Sequence, residues 1–284
     1  MLAPTATLLV SCADRMGLVA TLAHFIASNQ GNIIHADQHT DLAQGVFLTR
    51  LEWSLAEFKL SRDKIQQAIK KIALDLDASW SIHYSDVVPR LAIWVSKQDH
   101  CLLDLLWRHQ AGELPAEIPV VMSNHAALQE IAERSHAKFY HIPISKATKL
   151  AQEEKQLQIL QEHNIDLVIL AKYMQVLSPD LLKSSPCAIN IHHSFLPAFP
   201  GAKPYHRAHD RGVKIIGATA HYVTEDLDEG PIIEQEVIRV SHRDSIPDLI
   251  RKGKDLERLV LARAVRLHLQ NRVLTYNNRT VVFD

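Results

Sequence analysis

From Arg90 onward the chain repeats one pattern. Five apolar runs, "LAIWVS", "IPVVMSN", "FYHIPI", "DLVILA" and "CAINIH", are each long enough for a strand, and helical stretches near 99–110, 124–134, 147–163 and 178–184 separate them. Strands that are apolar throughout have to be buried on both faces, and a mostly parallel sheet between two helical layers does this. Ser178 before Pro179 supplies a cap and a first-turn proline for the last of these helices. Beyond them "KIIGATAHYV" and "PIIEQEVIRV" read as long strands joined by an acidic turn, an expected antiparallel extension of the sheet. A long helix from about Ser245 carries Leu249, Leu256, Val260 and Leu267 on one stripe, and "VLTYNNRTVVFD" reads as a hairpin turning at Asn277-Asn278.

The first part of the chain follows another plan. "TATLLVSC" reads as a strand, and Leu18, Leu22, Phe25 and Ile26 fall on one face of a helix after Asp14. "GNIIHADQHT" and "GVFLTRLEW" predict two further strands, and Ser61 is placed to cap a helix carrying Ile65, Ala68, Ile69, Ile72 and Leu76. "WSIHYS" closes the unit. The order is βαββαβ, a ferredoxin-like split βαβ plan, and Pro89 in "DVVPR" punctuates its end. The expected domains are therefore 1–86 and 87–284, both α/β, the second with a Rossmann-like sheet.

Composition narrows the partners. A formal charge of -1 offers no basic footprint for nucleic acid or an anionic membrane. The start of the chain lacks the basic flank and cleavage site of a signal peptide, and no apolar run approaches a bilayer span, so a cytoplasmic location is expected. Three cysteines without CxxC spacing suggest neither a disulfide framework nor a thiolate zinc site. Among 17 histidines, His206 and His209 have HxxH spacing and His192 and His193 are adjacent, but no HExxH or nearby acidic cluster completes a ligand set, and no metal is expected.

Chemistry concentrates at the end of "CAINIH". Reactive groups of open α/β sheets sit outside the carboxyl ends of the strands, and here "INIHHSFLPAFPGAKPY" collects Asn190, His192, His193 and Ser194. With strand spacing Asn190 and His192 share one face, and Ile191 and His193 face the other way. The acidic turn "YVTEDLDEGPII" offers Glu225, Asp226, Asp228 and Glu229. It reads either as a solvated loop or as the source of a carboxylate for His192. An amide, an imidazole and a carboxylate together suit acyl transfer without a protein nucleophile: two donors stabilise a tetrahedral oxyanion and the carboxylate handles a proton. Neither Ser194 nor Cys187 has the strand-turn-helix setting of an activated nucleophile. Read from spacing alone, Asn190 and His192 could equally be satisfying backbone groups at a strand end.

These two motifs resemble those of the formyltransferase fold family, in which Asn-x-His-x-Ser-x-Leu-Pro and an aspartate in a Val-Thr-x-x-x-Asp-x-Gly-Pro loop surround a formyl group carried by tetrahydrofolate; the likeness runs from about Arg90 to Gln270. It implies catalytic positions for Asn190, His192 and Asp228 and a supporting one for Ser194. "DLVILAKYMQVLS" is similar to the family's pterin-binding stretch. The resemblance thus implies a folate pocket made by Tyr173, Met174, Gln175, Val176 and Leu177 with Thr224, Glu225, Asp226 and Leu227, although Met174 and Leu177 also suit core packing. Lys172, where many relatives have arginine, and Pro200 before Gly201 depart from the pattern.

The first unit resembles an ACT domain, with "DRMGLVA" and "GNI" at the turns into its first helix and second strand. That implies homo-oligomerisation and an amino-acid effector, glycine or methionine, near Asp14, Arg15, Met16, Gly17, Leu18 and Asn32, unless the unit is purely structural. Members of the family that formylate a ribonucleotide hold its phosphate in a glycine-rich turn after the first strand of this domain. Here "VSKQDHCLLDL" stands there without glycine, leaving Lys97 and His100 as point charges. The combination resembles the hydrolytic branch of the family. It implies hydrolysis of 10-formyltetrahydrofolate to formate and tetrahydrofolate, feeding one-carbon and purine metabolism, with the folate as substrate and no tightly bound cofactor. A formyltransferase with an amine acceptor, and an amino-acid-sensing protein with a vestigial catalytic domain, are the alternatives.

Overall fold

The computed structural model describes residues 3–198 and 204–283; Pro200 and Gly201 lie outside them. The chain divides into two compact units, Met1–Val88 with Gln270–Asp284, and Pro89–Leu269.

In the first unit β1 (Thr5–Ala13), α1 (Leu18–Ser28), β2 (Asn32–Asp41), β3 (Val46–Ser54), α2 (Arg62–Leu76) and β4 (Ser79–Tyr84) follow the expected βαββαβ order. The sheet is antiparallel, in the order β2-β3-β1-β4. Alternation gives it two apolar faces. Ala6, Leu8, Val10, Leu51 and Trp53 bury one face against Leu22 and Ile26 of α1 and Ile65 and Ile69 of α2. Ser61 stands at the start of α2, but its side chain makes no capping bond.

The second unit carries β5 (Arg90–Val95), α3 (His100–Gln110), β6 (Glu117–Ser123), a single 3-10 turn running into α4 (Gln129–Arg134), β7 (Lys138–His141), α5 (Lys149–Glu162), β8 (Leu167–Leu170), α6 (Pro179–Ser184) and β9 (Cys187–His192). Then follow α7 (Pro204–Arg211), β10 (Ile215–Tyr222), β11 (Ile232–Arg239) and α8 (Ile246–Leu269). Seven strands lie in the order β11-β10-β9-β8-β5-β6-β7. Five are parallel, and β10 and β11 extend the sheet antiparallel as expected. Ala92, Trp94, Val120, Val168 and Leu170 pack beneath Ile159 and Leu160 of α5 and Leu181 of α6, while the alternate residues Leu91, Ile93 and Val95 are buried as well. The capping hydroxyl of Ser178 accepts from the Leu181 N–H at 3.1 Å. Helix α7 was not legible among the prolines of its segment.

The final strands β12 (Val273–Tyr276) and β13 (Arg279–Val282) correct the expected boundary. This hairpin brings Leu274, Tyr276, Val281 and Phe283 onto Leu9 and Leu48, the other apolar face of the first unit's sheet. Arg50 Nε donates to the Asn271 carbonyl at 3.0 Å, and the Tyr276 hydroxyl donates to Asp41 at 3.0 Å. The chain end therefore belongs with the first unit, because it covers apolar surface that the helices on the opposite side leave open.

Candidate active site

Strand order reverses beside β5, whose neighbours are β6 on one side and β8 on the other. Chain leaving the carboxyl ends of two neighbouring parallel strands at such a point has room to open a crevice. Next to that point the exits of β8 and of its other neighbour β9 bound a cleft of about 250 Å³ that the 224–228 loop closes. Each expected folate-pocket residue from Tyr173 to Leu177 and from Thr224 to Leu227 lines it, as do Asn190, His192 and Asp228. Met174, Val176 and Leu227 leave 59%, 56% and 61% of their surface exposed, so the mouth is an apolar rim of the kind that accepts a ligand. Met174 is thus no core residue, whereas Leu177 packs against the main core.

The segment after β8 is held at three points. Ser96 Oγ accepts from the Met174 N–H at 2.9 Å and donates to Asn124 Oδ1 at 2.7 Å. Gln156 of α5 donates to the Tyr173 hydroxyl at 2.9 Å, and the Ser178 N–H donates to Glu153 of α5 at 3.0 Å. Gln156 and Glu153 are buried polar residues on a helix face that periodicity alone would assign to aliphatics.

At the end of β9 the expected trio meets. Nδ1 of His192 lies 3.2 Å from Asp228 Oδ1, and His192 is 5% exposed. Its Nε2 is buried with no partner among the described residues. A fourth group, absent from the sequence-based candidates, joins them: His221 of β10 stands opposite Asn190 in the antiparallel pairing of β10 with β9. Its Nε2 lies 3.1 Å from Asn190 Nδ2 and 3.9 Å from Asp228 Oδ1. Its Nδ1 lies 2.8 Å from the Tyr222 carbonyl, which can only accept. The one sequence signal was a histidine inside an otherwise buried strand.

The loop that delivers Asp228 depends on a glycine. A Cβ on Gly230 would sit 1.8 Å from the Tyr222 carbonyl oxygen, so only glycine lets the chain fold back against β10, where the Tyr222 N–H donates to the Pro231 carbonyl at 2.9 Å. Asp228 itself has φ of 59°, left-handed and unusual for a non-glycine residue.

Electrostatics favour an ionised carboxylate flanked by uncharged His221 and His193 at this centre. Burial tends to raise the Asp228 carboxyl, but the hydrogen bond from His192 and the neighbouring His221 and His193 outweigh it and hold the group below the usual carboxylate range. Burial depresses His221, although the Tyr222 carbonyl and Asp228 oppose it. His193 is pushed down to about 3, by burial first and then by Lys172 and His192.

A Formyl transferase family profile matches residues 89–265 and an ACT domain profile matches residues 6–74. A formyltetrahydrofolate deformylase of Synechocystis is 64% identical over 279 residues, covering 98% of both chains. One from Bacillus subtilis is 47% identical, covering 98% of this chain and 93% of its own. The crystal structure of a formyltetrahydrofolate deformylase from Pseudomonas syringae superposes with a TM-score of 0.96 at 45% identity, covering 99% of this chain and 95% of that one. The chain belongs to the formyltetrahydrofolate deformylase family.

Within this deformylase-family fold the remaining sequence-predicted residues are placed less simply. Ser194 does not line the cleft; it is 3% exposed, faces the adjoining apolar cavity, and its Oγ has no partner among the described residues. Its carbonyl accepts from Thr219 Oγ1 at 2.8 Å, tying the turn after β9 to β10. His193, expected to face away, lines both spaces because the chain has left strand geometry there. His100 is not free to meet an anion: it is buried and its Nε2 donates to Glu257 at 2.7 Å. His100, Cys101 and Glu257 do converge, yet Lys172 Nζ, 3.3 Å from the same carboxylate oxygen, already supplies the cation.

The six effector candidates all lie in the first unit but do not converge on one spot within it. Asp14 to Gly17 form an exposed turn at one end of the sheet, where Ala13 pairs with Val46. Asn32 pairs with Ser54 at the other end, roughly 26 Å away at ~3.3 Å per strand residue. Leu18 turns inward to pack with Cys12 and Phe47. No helix among the described residues is long and apolar enough to cross a membrane.

Proposed function

We propose that this chain hydrolyses 10-formyltetrahydrofolate to formate and tetrahydrofolate, and that Asn190, His192, Asp228 and His221 carry the reaction. The observation that supports this most is the convergence of an amide, two imidazoles and an ionised carboxylate at the closed end of an apolar-rimmed cleft. The pterin lies against main chain 173–177 and the 224–227 loop, which presents the formyl group to Asn190 and His192. The second N–H of Asn190 and Nε2 of His192 polarise the formyl oxygen. Asp228 orients a water molecule and receives its proton as the new C–O bond forms. Collapse of the tetrahedral adduct breaks the bond between the formyl carbon and N10, and N10 takes up the proton. An amide-like carbonyl is a weak electrophile, so oxyanion stabilisation dominates; one such donor is typically worth about 10²- to 10³-fold in rate. Water needs no acceptor pocket, in keeping with the engagement of His100 by Glu257.

Incubation of the purified chain with 10-formyltetrahydrofolate and no amine tests the reading. Stoichiometric formate bearing one oxygen from ¹⁸O-water is expected; formyl loss only on addition of an amine would identify a transferase instead.

The ACT unit, in this proposal, binds an amino acid such as glycine or methionine between copies in a homo-oligomer. The separation of Asp14–Gly17 from Asn32 supports a site completed by two chains. The formate supplies one-carbon units in the cytoplasm, including those for purine synthesis.

A further inference from the structure

Behind the catalytic histidines lies a buried ionic cluster that the reaction does not touch. Glu257, on the inward face of α8, is 1% exposed. Its Oε1 accepts from the Tyr205 hydroxyl at 2.6 Å, and its Oε2 accepts from His100 Nε2 at 2.7 Å with Lys172 Nζ 3.3 Å away. These partners come from three separate elements: the first turn of α7, the start of α3, and the residue that leads from β8 into the folate segment.

Two backbone features show how tightly the cluster is built. Lys172 holds a left-handed φ of 65°, a conformation that persists in a non-glycine residue only when its surroundings over-determine it. Gly253, one turn before Glu257, has no room for a side chain, because a Cβ would fall 2.0 Å from the Tyr205 hydroxyl oxygen. A residue disfavoured inside a helix thus stands where the Tyr205 hydroxyl passes on its way to the carboxylate.

The cluster reaches the reacting centre through a run of neighbouring, mutually tilted rings. Tyr205 lies 6.1 Å from His193, centroid to centroid, and His193 lies 5.0 Å from His192. Lys172 also lines the cleft, as His192 and His193 do. We propose that Glu257 is a positioning residue for the reaction: by holding Tyr205 and Lys172 it backs the His193 ring and so fixes the His192 imidazole against Asp228. This rests on the role given to His192 above.

Glu257→Gln keeps the shape and can still accept from Tyr205, but leaves the Lys172 ammonium without a counter-charge in a buried site. Expected are a fall in kcat of about tenfold or more, KM for 10-formyltetrahydrofolate and Kd for tetrahydrofolate within about twofold, and recovery of most of the kcat in Glu257→Gln/Lys172→Met, which removes both charges. A loss confined to KM, or a folded single variant with unchanged kcat, overturns the proposal. If Glu257→Gln does not fold, Tyr205→Phe decides: it cuts only the hydroxyl contact, and a lower kcat at unchanged KM supports the proposal, whereas wild-type kcat overturns it. Formate release by the wild type tests the hydrolase reading separately. Should that fail, the imidazole NMR signals of His192 and His193 still decide, moving in Glu257→Gln or Tyr205→Phe if the cluster sets the rings and staying in place if it does not.

Discussion

Asn190 Nδ2 and His221 Nε2 stand 3.1 Å apart across the β9–β10 pairing. Because His221 Nδ1 faces the Tyr222 carbonyl, that nitrogen carries the proton, and a neutral His221 has an acceptor lone pair at Nε2. The Asn190 amide is thereby turned with its nitrogen toward His221, which leaves its second N–H to meet a substrate oxygen.

His221→Phe keeps a ring in the strand but removes that acceptor. Asn190 then loses its orientation while remaining present. Steady-state formate release should show kcat reduced by about tenfold or more, short of the 10²- to 10³-fold that outright loss of an oxyanion donor produces. KM should change little. A variant as active as the wild type would leave Asn190 without need of its partner.

Asp228→Asn is the sharper change. The amide fits where the carboxylate sat but cannot accept the proton of water, and it also deprives His192 Nδ1 of the charge 3.2 Å away. General base catalysis is typically worth about 10²- to 10⁴-fold, so turnover should drop within that range. Equilibrium binding of tetrahydrofolate should persist, since the cleft walls around Tyr173 and Leu177 are untouched.

Much of this site was legible because its residues are carried by strands, where a spacing of two fixes the face. That rule put Asn190 and His192 on one face but left open whether they only satisfy a strand end, and the catalytic role was implied by the family resemblance; the alternation of apolar runs with helices predicted the sheet that carries them. What escaped depends on distance in space. His221 enters only once β10 is known to lie antiparallel to β9. Glu257 has no sequence signal of its own, because its partners Lys172 and Tyr205 come from other segments. The closing hairpin was assigned by its place in the chain, but Phe283 and Leu274 answer to Leu9 and Leu48, far back in the sequence.

Gln156 offers a test of how the folate segment is held. Gln156→Leu keeps the volume of a buried position but removes the donor to the Tyr173 hydroxyl, and a buried polar group left unpaired costs about 1–3 kcal/mol. Since the strain falls on main chain assigned to the pterin, KM should rise roughly fivefold to tenfold, about 1 kcal/mol of binding. The kcat at saturation should stay near wild type. A fall in kcat with unchanged KM would mean that the segment acts on the chemistry instead.

His193 makes stability depend on pH. Its ordinary value, about 6.5 in an unfolded chain, is pushed down to about 3 by burial, Lys172 and His192. Between these values the unfolded chain binds a proton that the folded chain refuses, so stability is full above about pH 6.5 and declines as pH falls toward 3. One such group contributes a slope of at most about 1.4 kcal/mol per pH unit. His221, depressed in the same direction, adds to the decline. Urea unfolding at pH 7 and pH 5 isolates the histidines, because ordinary carboxylates titrate below that range. His193→Asn should lose about 1–2 kcal/mol less stability than the wild type between the two conditions, and equal losses would show that His193 accepts a proton in the folded state as readily as in the unfolded one.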